Sequence, residues 1–304
     1  MIDVKSTLVL SKETRLQCAS RQLGIPDMKE TKRVLLESKV DVPSMVEEDR
    51  AHAQSLERVC TALETRSIAF RVVPIGDSVP ADFDGHSLIV SVGGDGSFVH
   101  CTRHIHDGRP ILGVNSNPPS AQGQRIWSVG YYTRTDAPDF SKRLDCLLKG
   151  KESKDYKITR LNRMEVDINQ GEERLQAFAE VFIGHPLRKR NSRHLLEVDG
   201  LLEEQHKTSG LIVYPPHAYT AWAEDEGADP PADPSHIYYF VTGIQSHRDI
   251  KLRGGPIRDR MRVTSSLMDG VVSVDTWTDF PLMFGQTVEI RKSEQDIHMI
   301  EFPG

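Results

Sequence analysis

The sequence predicts an N-terminal α/β domain, a Rossmann-like parallel sheet with helices, followed by a C-terminal all-β domain. Three observations carry this. The first half alternates strand-like and helix-like patterns, the second half carries short strand-like runs between turn signals, and 304 residues exceed what one hydrophobic core usually covers. The expected boundary separates residues 1–130 from 131–304, with the last ~25 residues packing back on the first domain.

In the first half, "TLVLS" opens as a strand and a polar segment follows. Leu56, Val59, Cys60 and Leu63 then recur at helical spacing, and Ile68, Phe70 and Val72 alternate as a strand does. "SLIVSV" is a short, continuous apolar run, as buried parallel strands are. A glycine loop follows it, Ser97 is the expected N-cap of the next helix, and "RPILGVN" reads as a further buried strand. In the second half the candidate strands are "RMEVDI", "AFAEVFIG", "HLLEVDG", "GLIVYPP", "HIYYFVTG", "MRVTSSL", "VVSVDTW" and "TVEIRKS". Asp199-Gly200 and Asp269-Gly270 read as turn elements, so neither aspartate is given a catalytic role. Residues 223–235, acidic and Pro-rich, read as an exposed loop.

Composition narrows the function classes. A formal net charge of -6 argues against a dedicated nucleic-acid binder, and no apolar run approaches the ~20 residues of a membrane span. Cys18, Cys60, Cys101 and Cys146 are widely spaced, without a zinc pair or a disulfide framework, as expected of reduced thiols in a cytoplasmic protein. A strand within the first few residues leaves no room for a targeting segment.

The informative stretch is "SVGGDGSFV". A strand, a glycine turn and a helix N-terminus expose backbone N–H groups and partial positive charge, which makes an anion site. A carboxylate there would repel phosphate, and neither the P-loop pattern nor GxGxxG is present. Asp95 therefore fits one of three uses: a base taking a proton from an attacking hydroxyl, a holder of magnesium, or a local acceptor fixing a tight turn. The first two belong to phosphoryl transfer onto an alcohol.

"SVGGDGSFV" followed by "PILGVNSNP" resembles the NAD kinase family, and with it the fold shared with the diacylglycerol kinases. Other kinases carry GGDG too. This chain lacks the PGTIDND-like motif of the 6-phosphofructokinases and the Asn-Glu continuation usual in the lipid kinases. "STLVLSKETRLQ", "HAQSLERVCTALETRSIAFRVV", "AFAEVFIGHPLRKRNS" and "TSGLIVYPPHAYTAW" extend the resemblance along nearly the whole chain, toward the mitochondrial-type branch and its bacterial relatives.

The resemblance implies a kinase passing the γ-phosphate of ATP, carried with Mg2+, to the adenosine ribose 2′-hydroxyl of NAD, with no residue assigned as a metal ligand. It implies a homodimer or larger homo-oligomer. Asp95 would be the base, Gly93, Gly94, Gly96, Ser97 and Arg190 would face phosphates, and Glu180 would grip ribose hydroxyls. Asn115, Ser209, Thr220, Ala221 and Trp222 would line the dinucleotide site, although core burial is the default for a tryptophan. Departures cluster at the same place. Ala179 stands where the family has Asn, and His217, Ala218 and Tyr219 replace a glycine-containing turn. Two alternatives stay open: a kinase of another nucleotide acceptor, and a catalytically inactive NAD(P)-binding sensor. His100, His104 and His106 read as a solvated helix face rather than a zinc site.

Overall fold

The computed structural model describes residues 2, 4–117, 128–149, 151–152, 154–244, 250–275 and 277–303; Pro118 of "PILGVNSNP" and Thr276 of "VVSVDTW" lie outside them. The chain divides into two compact units, residues 1–160 with 297–304 and residues 161–296. The break thus falls between Arg160 and Leu161 rather than near 130. The reason is that a helix and a strand beyond residue 130 complete the first unit's core and sheet.

In the first unit, β1 (Ser6–Ser11) leads to α1 (Arg15–Leu23), α2 (Met28–Glu37), α3 (Val42–Glu64) and β2 (Ala69–Pro74). Then come β3 (Leu88–Gly93), α4 (Asp95–Thr102), β4 (Pro110–Asn115), β5 (Thr135–Asp136), α5 (Phe140–Lys149) and β6 (Lys157–Leu161). The chain's last strand, Ile297–Glu301, joins this sheet beside β4, giving the order β2-β1-β3-β4-last-β6 with β5 paired to β4. Neighbouring strands from β2 to the last strand run parallel. All of β3 is buried, which explains its uninterrupted apolar run. Val59 and Leu63 of α3 meet Phe140, Leu144 and Leu147 of α5 in one core.

The polar segment after β1 conceals two helices. Thr14 caps α1 in a reciprocal box with Gln17, and Gly24 closes it at φ 66°. Their faces are so polar that α2 buries only Thr31, so no apolar stripe announced them.

The second unit holds two antiparallel sheets. Its strands are β7 (Met164–Ile168), β8 (Glu173–Ala177), β9 (Val181–Gly184), β10 (Ser192–Val198), β11 (Leu201–Thr208) and β12 (Gly210–Tyr214). They continue as β13 (Ile237–Thr242), β14 (Gly254–Ile257), β15 (Met261–Ser265), β16 (Gly270–Val274), β17 (Thr278–Leu282) and β18 (Thr287–Lys292), the last strand of the chain being β19. The orders are β11-β10-β15-β18-β7-β8 and β14-β13-β12-β9-β16-β17. Val166, Leu196, Val263 and Ile290 of one sheet share a core with Ile183, Leu211, Val241 and Val272 of the other. Asp199 (φ 48°) and Gly200 (φ 84°) make the β10–β11 turn, as read from the sequence. Residues 223–235 are anchored by Ala223 and Ala228, which are buried although their neighbours are exposed.

Candidate active site

The GGDG loop stands at the carboxyl end of β3, where parallel sheets take their ligands. Gly94, not Ser97, is the N-cap of α4. Ser97 is the third helical residue, and its hydroxyl occupies the space a Cβ on Gly93 would need, 2.3 Å away. Helix start and glycine turn are therefore one structure, shorter by a turn than the sequence suggested.

Asp95 opens α4, and its carboxylate is almost saturated. Oδ2 accepts from Gly130 N–H and Tyr131 N–H at 2.9 Å each and from Ser128 Oγ at 3.2 Å. Oδ1 accepts from Tyr132 N–H at 2.8 Å and from Thr133 N–H and Oγ1 at 3.2 Å each. In return Asp95 N–H donates to Ser128 Oγ at 3.1 Å. The same segment passes over β4 at Gly113, where a Cβ would lie 2.3 Å from Tyr132 O. That glycine is required by a close backbone approach, and it lets residues 130–133 present four successive amides to one carboxylate. Asn115, at the end of β4, is 3% exposed and wholly committed: Nδ2 donates to Thr133 Oγ1 and Oδ1 accepts from Asn117 N–H. These two bonds fix its own turn.

In the second unit, Ala179 and Glu180 lie on the link between β8 and β9, held by a residue that sequence reasoning passed over. Asp275, 3% exposed and at φ 50°, accepts from the amides of Phe178 (3.0 Å), Ala179 (2.7 Å) and Glu180 (3.2 Å). Its own N–H donates to Glu180 O at 2.8 Å, closing the pair. The only sequence signal was an aspartate ending the strand "VVSVD". Burial pushes both carboxyls up, and Asp275 stays raised although three amides and the Arg163 charge oppose the shift. Glu180 has no such support; burial and the Asp275 charge push it up to about 7.

The departures from the family pattern are absorbed by packing. His217 stacks on Phe178 with centroids 4.7 Å apart, and its Nε2 lies 2.9 Å from Asn162 O. Burial pushes its imidazole down to about 4. Tyr219 turns its hydroxyl to Ala228 O at 3.0 Å. Thr220 and Ala221 are exposed. Trp222 packs on Phe182 at 5.5 Å, lies under the Arg188 guanidinium at 4.9 Å, and donates Nε1–H to Glu226 at 3.1 Å. Its ring is thus engaged within the protein. Ser209 sits at the kink between β11 and β12, its N–H on Thr242 O. Arg190 is exposed and lies 3.7 Å from Asp269, which also takes His185 at 3.1 Å. Among the described residues no group of three or more His, Cys, Asp or Glu could hold a metal.

Fold and loop together define a two-unit protein in which a parallel sheet ends in a GGDG turn and an antiparallel sandwich presents a perturbed carboxyl pair. No family model matches the chain. It is 27% identical over 278 residues to an NAD kinase of Acidithiobacillus ferrooxidans, covering 86% of this chain and 88% of the relative. It is 26% identical over 219 residues to a probable NADH kinase of Oryza sativa, covering 65% of this chain and 60% of the relative. The solved NAD kinase of Archaeoglobus fulgidus in complex with ATP shares the fold, with a TM-score of 0.63 at 16% identity over 98% of this chain and 93% of that one. Yeast NADH kinase complexed with NADH gives 0.65 at 14% over 99% and 84%. The chain is thus similar in sequence to NAD kinases over most of its length and shares the fold of solved NAD and NADH kinases.

Proposed function

We propose that the protein is an NAD kinase, transferring the γ-phosphoryl group of MgATP to the adenosine ribose 2′-hydroxyl of NAD to give NADP. The observation that carries this reading is Asp95 at the start of α4 within a glycine turn, in a chain whose relatives bear that name. Phosphoryl transfer asks little covalent chemistry of a protein; it asks for amides and cations around phosphate and a carboxylate for the nucleophile's proton. For Asp95 to serve the hydroxyl, one of its six donors gives way. The three contacts at 3.2 Å, from Ser128 Oγ, Thr133 N–H and Thr133 Oγ1, are the longest and the first to yield. Glu180, ionised above neutrality, would accept from the ribose hydroxyls.

NADH as acceptor is the second reading. Ala179 offers no carboxamide to a ligand, and relatives named for NADH stand beside those named for NAD. Incubation with MgATP and a panel of NAD, NADH and other nucleosides, with mass analysis of products and 31P NMR to place the new phosphate, tests both. A 2′-phosphorylated dinucleotide supports the proposal; a panel left unphosphorylated refutes it.

A further inference from the structure

At the end of β1, beside the GGDG loop, stands a lysine whose residue type and position in the sequence suggest no role. Lys12 N–H continues the sheet by donating to Val92 O at 3.0 Å, and its Cβ lies 3.2 Å from the position a Cβ on Gly93 would take. Nζ reaches Glu48 Oε1 at 2.7 Å and Asn117 Oδ1 at 3.1 Å. Asn117 in turn lies over the loop, its Nδ2 3.7 Å from where a Cβ on Gly94 would be. The ammonium is thereby tied to a side chain that touches the loop. An ammonium has three N–H donors, and two are accounted for.

Lys12 is anchored rather than free to swing. Its side chain is 12% exposed, and Glu48, 7% exposed, is gripped from the other side by Arg15 Nε at 2.5 Å. Two cations thus share one carboxylate, which leaves neither fully neutralised by it. The second observation is independent: α4 begins at Gly94, whose own residue supplies no side-chain cap, and its first amide is held only by Ser128 Oγ.

We propose that Lys12 is a phosphate-binding residue, its third N–H directed to the polyphosphate chain of the donor seated on the Gly93–Gly96 turn, with Glu48 and Asn117 as positioning residues. The assignment rests on the kinase reading but is tested by binding, so the two fail separately.

The experiment is isothermal titration of the wild type, Lys12→Met, Lys12→Arg and Glu48→Gln with MgATP and with inorganic tripolyphosphate, with urea denaturation to report folding. Loss of one charge-assisted contact should weaken both ligands roughly 10-fold or more in Lys12→Met. Lys12→Arg should recover much of this. Glu48→Gln keeps an acceptor while removing a negative charge, and should tighten binding. Wild-type affinity in folded Lys12→Met overturns the assignment. So does equal weakening in Lys12→Met and Glu48→Gln, which would make the lysine merely half of a structural ion pair, and so does failure of the wild type to bind either ligand. A wild type that binds tripolyphosphate through Lys12 yet phosphorylates no nucleotide sinks the kinase reading and leaves this one standing.

Discussion

In the first unit Asp95 draws the amides of residues 130–133 onto one carboxylate; in the second, Asp275 does the same with residues 178–180. The two differ in what the gathering is for. Asp95 is the residue proposed to take a hydroxyl proton, and in the structure it holds the 130–133 segment. Asp275 is a support. It fixes the backbone of its neighbour Glu180 and, by its charge, helps set that neighbour's proton affinity. On the proposed reading one acid is both anchor and base, while in the other unit anchoring and ligand binding fall on two residues.

The comparison breaks most readily at Asp95. Asp95→Ala leaves four amides and two hydroxyls without their acceptor and should cost about 3 kcal/mol or more of stability, read as a lowered urea midpoint. Asn is nearly isosteric but not silent: whichever way its amide turns, an NH2 faces two backbone N–H groups. Asp275→Asn should cost less, about 1–3 kcal/mol, because Asn tolerates the left-handed backbone and one oxygen still accepts. If Asp275→Asn proves the more damaging, the roles assigned to the two aspartates are reversed.

The units should also answer pH with opposite sign. His52, 3% exposed between Ser11 Oγ and Ser116 Oγ, is pushed by burial down to about 4 from 6.5. A lowered imidazole contributes stability that is complete above about 6.5 and is lost as pH falls through about 4. Glu180 is raised, so its contribution is complete below about 4.5 and is lost as pH rises through about 7. Denaturation between pH 4 and pH 8 should show the acid-side slope reduced in His52→Gln and the neutral-side slope reduced in Glu180→Gln, each by on the order of 1–2 kcal/mol. Unaltered slopes would mean that neither group titrates as its surroundings require. The smallest effect is expected at Trp222: packed on Phe182 and Arg188, its replacement by Phe should shift NAD affinity by less than about 1 kcal/mol. A larger loss would show that the ring leaves its protein partners to stack on ligand.

Much of the fold was legible because burial writes itself into sequence. β3 is mostly apolar since both its faces are covered, and the Asp-Gly turn at 199–200 needs a backbone that few other residues adopt. The helices α1 and α2 were not legible, because their caps and salt links, such as Arg33 with Glu30 and Glu37, carry them instead of an apolar stripe. Within the candidate site, Asp95 was found through its glycines. Asp275 was not, because a lone aspartate ending a strand looks like any other until three amides are seen to converge on it. Lys12 escaped for the same reason. Its meaning lies in a neighbour 36 residues away, Glu48, and in a loop that the sheet alone brings alongside.

If, as proposed, Asp95 governs turnover and Glu180 governs the acceptor, steady-state kinetics with MgATP and NAD show it most directly. Measured on folded protein, Asp95→Asn should lower kcat by ~10²- to 10⁴-fold with the KM for NAD little changed. Glu180→Gln should raise the KM for NAD by roughly 10-fold, with a smaller effect on kcat. Wild-type kcat in folded Asp95→Asn would contradict the account, leaving Asp95 as the anchor of the 130–133 segment alone.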